Sequence, residues 1–402
     1  MGVRETTKNA KIAKVRLEDV LTDTITGEWG SAPAPGTGVF VLRTTNFTCN
    51  GEVDYGNVVS RDIPSNKVEK KRLLPGDLIV EKSGGTKDHP VGRVVYFNRD
   101  SDVYLCNNFT QAIRPNREVV NSRYLLHVLL MKYSMKSTES MYNKTTGIQN
   151  LKMSLYLKQE IPLPSLPEQK RIAEELDQIC ELKKNADERL ALMDQLVKSR
   201  FVEMFGDGCL SDEKQLFSEI CEFVTVGIAN SATHAYAESG VPMLRNQNIR
   251  EGSLDDSDLV YIKSEFAEKY RSKTLKENDL LIVRTGYPGV SCVVPKKYEG
   301  AQTFTTLIAR LRDLGETDPV FVCHYLNSPY GKEYVDKSKV GIAQQNFGAR
   351  ALEGMPIFIP HISLQREFAA FVAEVDKSKF VLRETVVRME TLYKAKLQEY
   401  FG

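Results

Sequence analysis

Two polar clusters hold the side chains of this chain best suited to reading a nucleic acid. They are Arg43-Thr44-Thr45-Asn46 and Arg245-Asn246-Gln247-Asn248. Asn and Gln can bond adenine through two hydrogen bonds at once, and Arg can do the same to guanine. Arg43, Asn46, Arg245, Asn246, Gln247 and Asn248 are therefore candidate base readers, although polar residues at strand ends also serve purely local structure. Two glycine-containing loops form a second set of candidates, Lys82-Ser83-Gly84-Gly85-Thr86 and Arg284-Thr285-Gly286-Tyr287-Pro288-Gly289. Each follows an apolar run that ends in a cation. Such a loop can come close to a phosphate backbone, with Lys82 or Arg284 pairing to phosphate or guanine and Ser83, Gly84, Thr86, Thr285 and Tyr287 beside them. An ordinary turn between strands has the same composition.

Other chemistries are excluded more readily. Neither loop fits the spacing of a phosphate cradle or a dinucleotide-binding turn. Asn327-Ser328-Pro329-Tyr330 approaches an adenine-methyltransferase tetrapeptide, but serine replaces its second residue and no glycine loop for S-adenosylmethionine accompanies it. It reads as a helix followed by a proline turn. The seven cysteines show no paired spacing and the five histidines lie far apart, so neither a zinc site nor a disulfide framework is expected, and a reducing cytoplasm fits. No apolar run reaches the length of a membrane span. Net charge is +1 overall, yet residues 1–165 carry 23 basic against 17 acidic side chains and residues 207–360 carry 17 against 21. Any affinity for DNA must rest on local patches and partners rather than on a bulk positive field.

These candidates are positioned by a duplication. Ile172, Leu176, Ile179, Ala186, Leu190, Met193, Val197, Phe201 and Met204 form the seam of one long amphipathic helix. Adding 196 to each number gives Phe368, Val372, Val375, Leu382, Val386, Met389, Tyr393, Leu397 and Tyr400, a second seam without a gap. Lys183 and Lys379 interrupt both at the same place and should send their ammonium heads to water. The preceding segments repeat more loosely: GVFVLRTTNF matches GVPMLRNQNI, GDLIVEKSG matches NDLLIVRTG, and YLLH at 124–127 matches FVCH at 321–324. TTGIQN at 145–150 and GIAQQN at 341–346 sit at the joint before each helix, aligning Gln149-Asn150 with Gln345-Asn346. Short apolar runs bounded by Gly, Pro, Asn and Asp read as strands and turns, and one helix should close each domain near 121–138 and 318–337.

The expected fold is thus α+β: a domain over 1–160, a proline approach and helix over 161–206, a second domain over 207–356, and a second approach and helix over 357–402. At about 1.5 Å per residue each helix is on the order of 55 Å long, too long for one small domain to cover. The two should cover each other as an antiparallel coiled coil in a pseudo-two-fold arrangement.

This plan resembles the specificity subunit of Type I restriction–modification systems over nearly the whole chain. The residues that carry the resemblance are IPLPSLPEQKRIAEEL, its second copy after GIAQQN, and the diverged domain before each. The second copy departs from the pattern with Ser363-Leu364-Gln365 in place of Pro167-Glu168-Gln169. The resemblance implies two target-recognition domains, each reading half of a bipartite site in double-stranded DNA, with the helices setting the spacer. It implies as partners two modification subunits that methylate adenine with S-adenosylmethionine, and restriction subunits that translocate and cleave. S-adenosylmethionine, ATP and Mg would then belong to those partners, and this cytoplasmic chain would hold no catalytic centre or cofactor. A recognition subunit of a related methyltransferase–nuclease system outside Type I, a coiled-coil scaffold without DNA binding, and a catalytic methyltransferase remain as alternatives.

Overall fold

The computed structural model describes residues 13–402 apart from 49, 87–88, 144–147, 230–232 and 340–345. The chain divides into two units, Met1–Ala186 with Glu384–Gly402, and Asp187–Arg383. The divisions fall inside the two long helices, so each unit contains one end of both.

In the first unit, strands β1 (Leu21–Thr26), β2 (Leu78–Glu81), β3 (Val94–Tyr96) and β4 (Thr110–Pro115) form an antiparallel sheet in the order β1-β4-β2-β3. Strand β2, LIVE, is buried along its whole length, as a central strand covered on both faces must be. Helix α1 (Ser122–Ser134) closes the domain, capped by the Asn121 side chain, which accepts from the Tyr124 N–H. Helix α2 (Leu166–Leu210) follows the proline approach.

The second unit repeats this arrangement. Strands β5 (Cys221–Val226), β6 (Leu280–Ile282), β7 (Ser291–Val293) and β8 (Leu307–Leu311) form a sheet in the corresponding order, β5-β8-β6-β7. The first strand of each sheet is bulged at its start, between Leu21 and Asp23 and between Cys221 and Phe223. Each sheet also contains a buried acid directly before its central strand. Arg114 donates to both carboxylate oxygens of Asp77 at 2.8 Å, and Arg310 donates to those of Asp279 at 2.7 and 2.8 Å. Breaking either pair would leave a buried charge without its counterion.

The single closing helix expected near 318–337 is two helices here, α3 (Pro319–Asn327) and α4 (Pro329–Ser338). Pro329 has no N–H to continue the first helix, and Ser328 takes an extended conformation and caps the second through the Gly331 N–H. The Asn327 amide meanwhile pairs with both backbone groups of Ser291. The Asn-Ser-Pro-Tyr tetrapeptide is therefore a helix break, as its composition suggested. Helix α5 (Ile362–Phe401) ends the chain.

Within each unit α2 and α5 pack antiparallel. In the first, Arg171 lies against Tyr400 and Lys183 pairs with Glu390 at 2.9 Å. In the second, Lys379 pairs with Asp194 at 2.7 Å and Arg200 with Glu367 at 3.2 Å. Every seam position from Ile172 to Tyr400 is buried or half-buried. The two seam lysines differ from expectation, since both heads end on carboxylates across the helix pair and Lys379 is buried. The buried stem makes an ion pair less exposed to water, and hence stronger, than a head left free.

Candidate nucleic-acid interface

The arginine–asparagine clusters fold in the same way in both units. Each forms a single tight turn, Thr44–Asn46 and Asn246–Asn248. The Asn46 side chain accepts from the Arg43 N–H at 2.9 Å and donates to the carbonyls of Asp54 and Asn57. Asn248 accepts from the Arg245 N–H at 2.9 Å and donates to Asp255 and Asp258. Both asparagines are 1% exposed. Their amides hold the turn shut, which leaves the base-reading role to their neighbours.

Arg43 donates to the Asn57 carbonyl at 3.1 Å. Arg245 is held more firmly, by the Asp258 carbonyl at 2.6 Å and its carboxylate at 2.9 Å, and exposed Gln247 donates to the same carboxylate at 2.6 Å. The Nε of each arginine is buried without a hydrogen bond among the described residues. Asp258 thus neutralises the cation of the second cluster, in keeping with the acidic balance of that domain.

The structure brings these clusters to the glycine loops, which the sequence left apart. In the second unit Asn246 donates to Thr285 and accepts from the Thr306 hydroxyl at 2.8 Å. In the first unit the link runs through Arg93, which donates to the buried Glu81 carboxylate at 2.7 Å and to the Thr44 carbonyl at 3.3 Å. Sequence comparison missed Glu81 and Arg93 because Val283 occupies the position of Glu81 in the second copy. The apolar run Leu78-Ile79-Val80 marked a buried strand, and a carboxylate at its end calls for a basic partner.

Both loops are also anchored by the segment just before the proline approach. Ser83 and Gly84 pair with Asn150 and Gln149, and the Ser83 hydroxyl donates to the Asn150 side chain at 2.7 Å. Gln149 accepts from the Val91 N–H and donates to the Thr86 carbonyl. In the second unit Thr285 bridges to Asn346 and the Arg284 guanidinium donates to its side chain at 2.9 Å. Gln345, the partner of Gln149 in the sequence alignment, lies outside the described residues. Each loop is fixed at its base and open at its tip. Gly84 and Gly286 have positive φ, 113° and 85°, which a side chain would strain. Beyond them Thr86 and Tyr287 are exposed, Tyr287 at 79%. The Lys82 ammonium makes no ion pair among the described residues.

A loop with a rigid base, a cation at its root and exposed hydroxyl and aromatic groups at its tip can pair with phosphate and reach a base edge. No group of three or more His, Cys, Asp or Glu side chains able to hold a metal occurs among the described residues. No helix among them is long and apolar enough to cross a membrane.

Comparison with known proteins agrees with this organisation. Residues 36–191 match the family described as Type I restriction modification DNA specificity domain. The chain is 23% identical over 354 residues to the EcoKI specificity subunit of Escherichia coli K12, covering 83% of this chain and 75% of that one. It is 23% identical to the MjaVIII specificity subunit of Methanocaldococcus jannaschii, covering 69% of each chain. The crystal structure of the Type I restriction-modification S subunit from M. genitalium shares the fold, with a TM-score of 0.60 at 14% identity over 99% of this chain and 98% of that one. Residues 36–191 thus match a Type I restriction modification DNA specificity domain, in a chain similar along most of its length to Type I restriction enzyme specificity subunits.

Proposed function

We propose that this protein is the DNA sequence-recognition subunit of a Type I restriction–modification complex. Each α+β domain reads one half of a bipartite site in double-stranded DNA, and the paired helices set the spacer and dock two modification subunits. Restriction subunits complete the assembly, and methylation and cleavage occur on the partners rather than on this chain. The observation that carries the reading is the duplicated loop. Lys82–Thr86 and Arg284–Tyr287 sit in the same place on two copies of one fold, each anchored by an asparagine, yet their tips differ in sequence. Equivalent placement with different chemistry is what two half-sites of different sequence require.

Exposed Gln247, half-buried Arg43 and Arg245, and Asn246 lie beside the loops and complete each surface. Asn46 and Asn248 shape it from beneath. The reading is tested by assembling the protein with its modification subunits and mapping methylated adenines. Exchanging residues 82–86 for those of a specificity subunit with a different target should change the first half-site alone. Methylation at unchanged sites would refute the assignment.

A further inference from the structure

Helix α1 carries His127 and the corresponding helix α3 carries His324, an equivalence that follows from the alignment of YLLH with FVCH. Their surroundings are opposite. His127 is buried, with Nε2 2.7 Å from the Asp177 carboxylate and Nδ1 2.8 Å from the Tyr393 hydroxyl. A carboxylate only accepts, so Nε2–H donates to Asp177 and Nδ1 accepts from Tyr393. Arg123 completes the cluster with three contacts to Asp177 between 2.6 and 3.1 Å. Burial pushes the Asp177 carboxyl up, but the bonds from His127 and Arg123 outweigh it and hold the group below its ordinary range.

Each of those partners is missing in the second unit. The helix offset of 196 puts Ala373 where Asp177 stands and Val197 where Tyr393 stands, and Val320 replaces Arg123. His324 makes no hydrogen bond among the described residues. In place of the cluster is a cavity of about 860 Å³, lined by His324, Val197, Phe201, Val372 and Arg383 among others. Its volume falls within the range of small-molecule sites.

The walls specify the chemistry of an occupant. Val197, Phe201 and Val372 give an apolar side that suits a ring. The polar side mixes cations with carboxylates: Lys198 and Lys332 share Glu251, Lys379 is held by Asp194 and Asp376, and Arg383 makes no ion pair among the described residues. The first unit shows what satisfies this imidazole, a carboxylate and a phenolic hydroxyl supplied by the two helices. Val197 on the cavity wall leaves the place of the phenolic hydroxyl open, and a molecule that supplies that hydroxyl can carry its carboxylate to a cation of the wall.

We propose that the cavity binds a small hydroxyaryl carboxylate, its hydroxyl hydrogen-bonded to His324, its ring against Val197 and Phe201, and its carboxylate on the side that carries Arg383. The site is independent of the DNA-reading loops, and its occupant bridges the second domain to both helices within that unit.

The probe is 4-hydroxyphenylacetate, titrated into the full chain by calorimetry without DNA. Saturable binding is expected, and in a histidine-labelled sample only the His324 resonance of the five should shift. Arg383→Ala should weaken binding by about tenfold, the effect of one charge-assisted hydrogen bond. The variant V197Y puts the tyrosine of the first unit on the cavity wall. It should abolish binding while melting no earlier than the wild type, which separates a filled site from a misfolded one. Absence of saturable binding, equal affinity in V197Y, or a shift at another histidine would overturn the proposal. So would an unliganded wild type whose assembly with modification subunits is blocked by V197Y, since the cavity would then receive a protein side chain.

Discussion

Gln365 and Asp318 are joined by a 2.8 Å hydrogen bond from the Asp318 backbone N–H to the Gln365 side-chain oxygen. The same amide donates to the carbonyls of Pro360 and Glu316. In the first unit Gln169 accepts from the Asn121 N–H at 2.8 Å and donates to Pro164 and Val119. Both glutamines are fully buried. Each therefore fastens the start of a long helix to the cap of a helix that closes its α+β domain, fixing the angle at which the domain leaves the helix pair. Gln365→Met should destabilise the protein by about 2–4 kcal/mol, because it strands one buried donor and two acceptors. Urea unfolding checks this, and the Asn121 side of the molecule should be unaffected.

Asp279→Ala leaves Arg310 half-buried without its carboxylate and removes the acceptor for the Lys276 N–H. The expected cost is about 3–5 kcal/mol, the range for breaking a buried pair from one side. Replacing Asp279 and Arg310 together by Leu and Met should cost less than the single change. Urea unfolding of the wild type, D279A and D279L/R310M measures the difference.

Arg284→Ala should weaken specific binding of the assembled complex by roughly 1–3 kcal/mol if a base contact is lost. Asn346→Ala should reproduce part of that loss, because Asn346 holds the guanidinium in place. Both changes should act on one half-site only, and Lys82→Ala on the other. Competition binding with DNA altered in one half-site reads this directly.

Inserting four residues into both helices, near Asn185 and Val381, lengthens each by about 6 Å. Both positions lie within unbroken helix. Adenine methylation should move to sites with a longer spacer and unchanged half-sites, as sequencing of modified DNA would record. An unchanged spacer would show that the helices do not measure it.

Burial pushes the His324 imidazole down from 6.5 to about 4, and Lys379 and Lys198 add to the depression against the opposing charge of Glu251. Its contribution to stability is complete above about pH 6.5. It is lost as pH falls toward about 4, where the unfolded chain takes a proton that the folded chain refuses. His127 is lowered in the same direction. Histidine-to-asparagine substitution at 324 should therefore flatten, without removing, the fall in urea midpoint between about pH 7 and about pH 4.5.

The helix repeat and the α+β plan were legible in the sequence because amphipathic periodicity is a local property: each seam residue from Ile172 to Met204 has its copy 196 positions on, whatever the chain does between. Proline and glycine placement likewise marked where strands end and helices begin. Roles that depend on partners distant in sequence were not legible. Asn46 and Asn248 have the composition of base readers, and only the closing of the turn over the carbonyls near 54–58 and 255–258 turned them inward. Ser83 and Asn150 are far apart along the chain, and only sheet pairing made one the anchor of the other. The contrast between His127 and His324 was hidden for the same reason. The sequence aligns the two histidines, but what an imidazole does depends on the side chains opposite it, and those stand on helices that tertiary packing brings alongside.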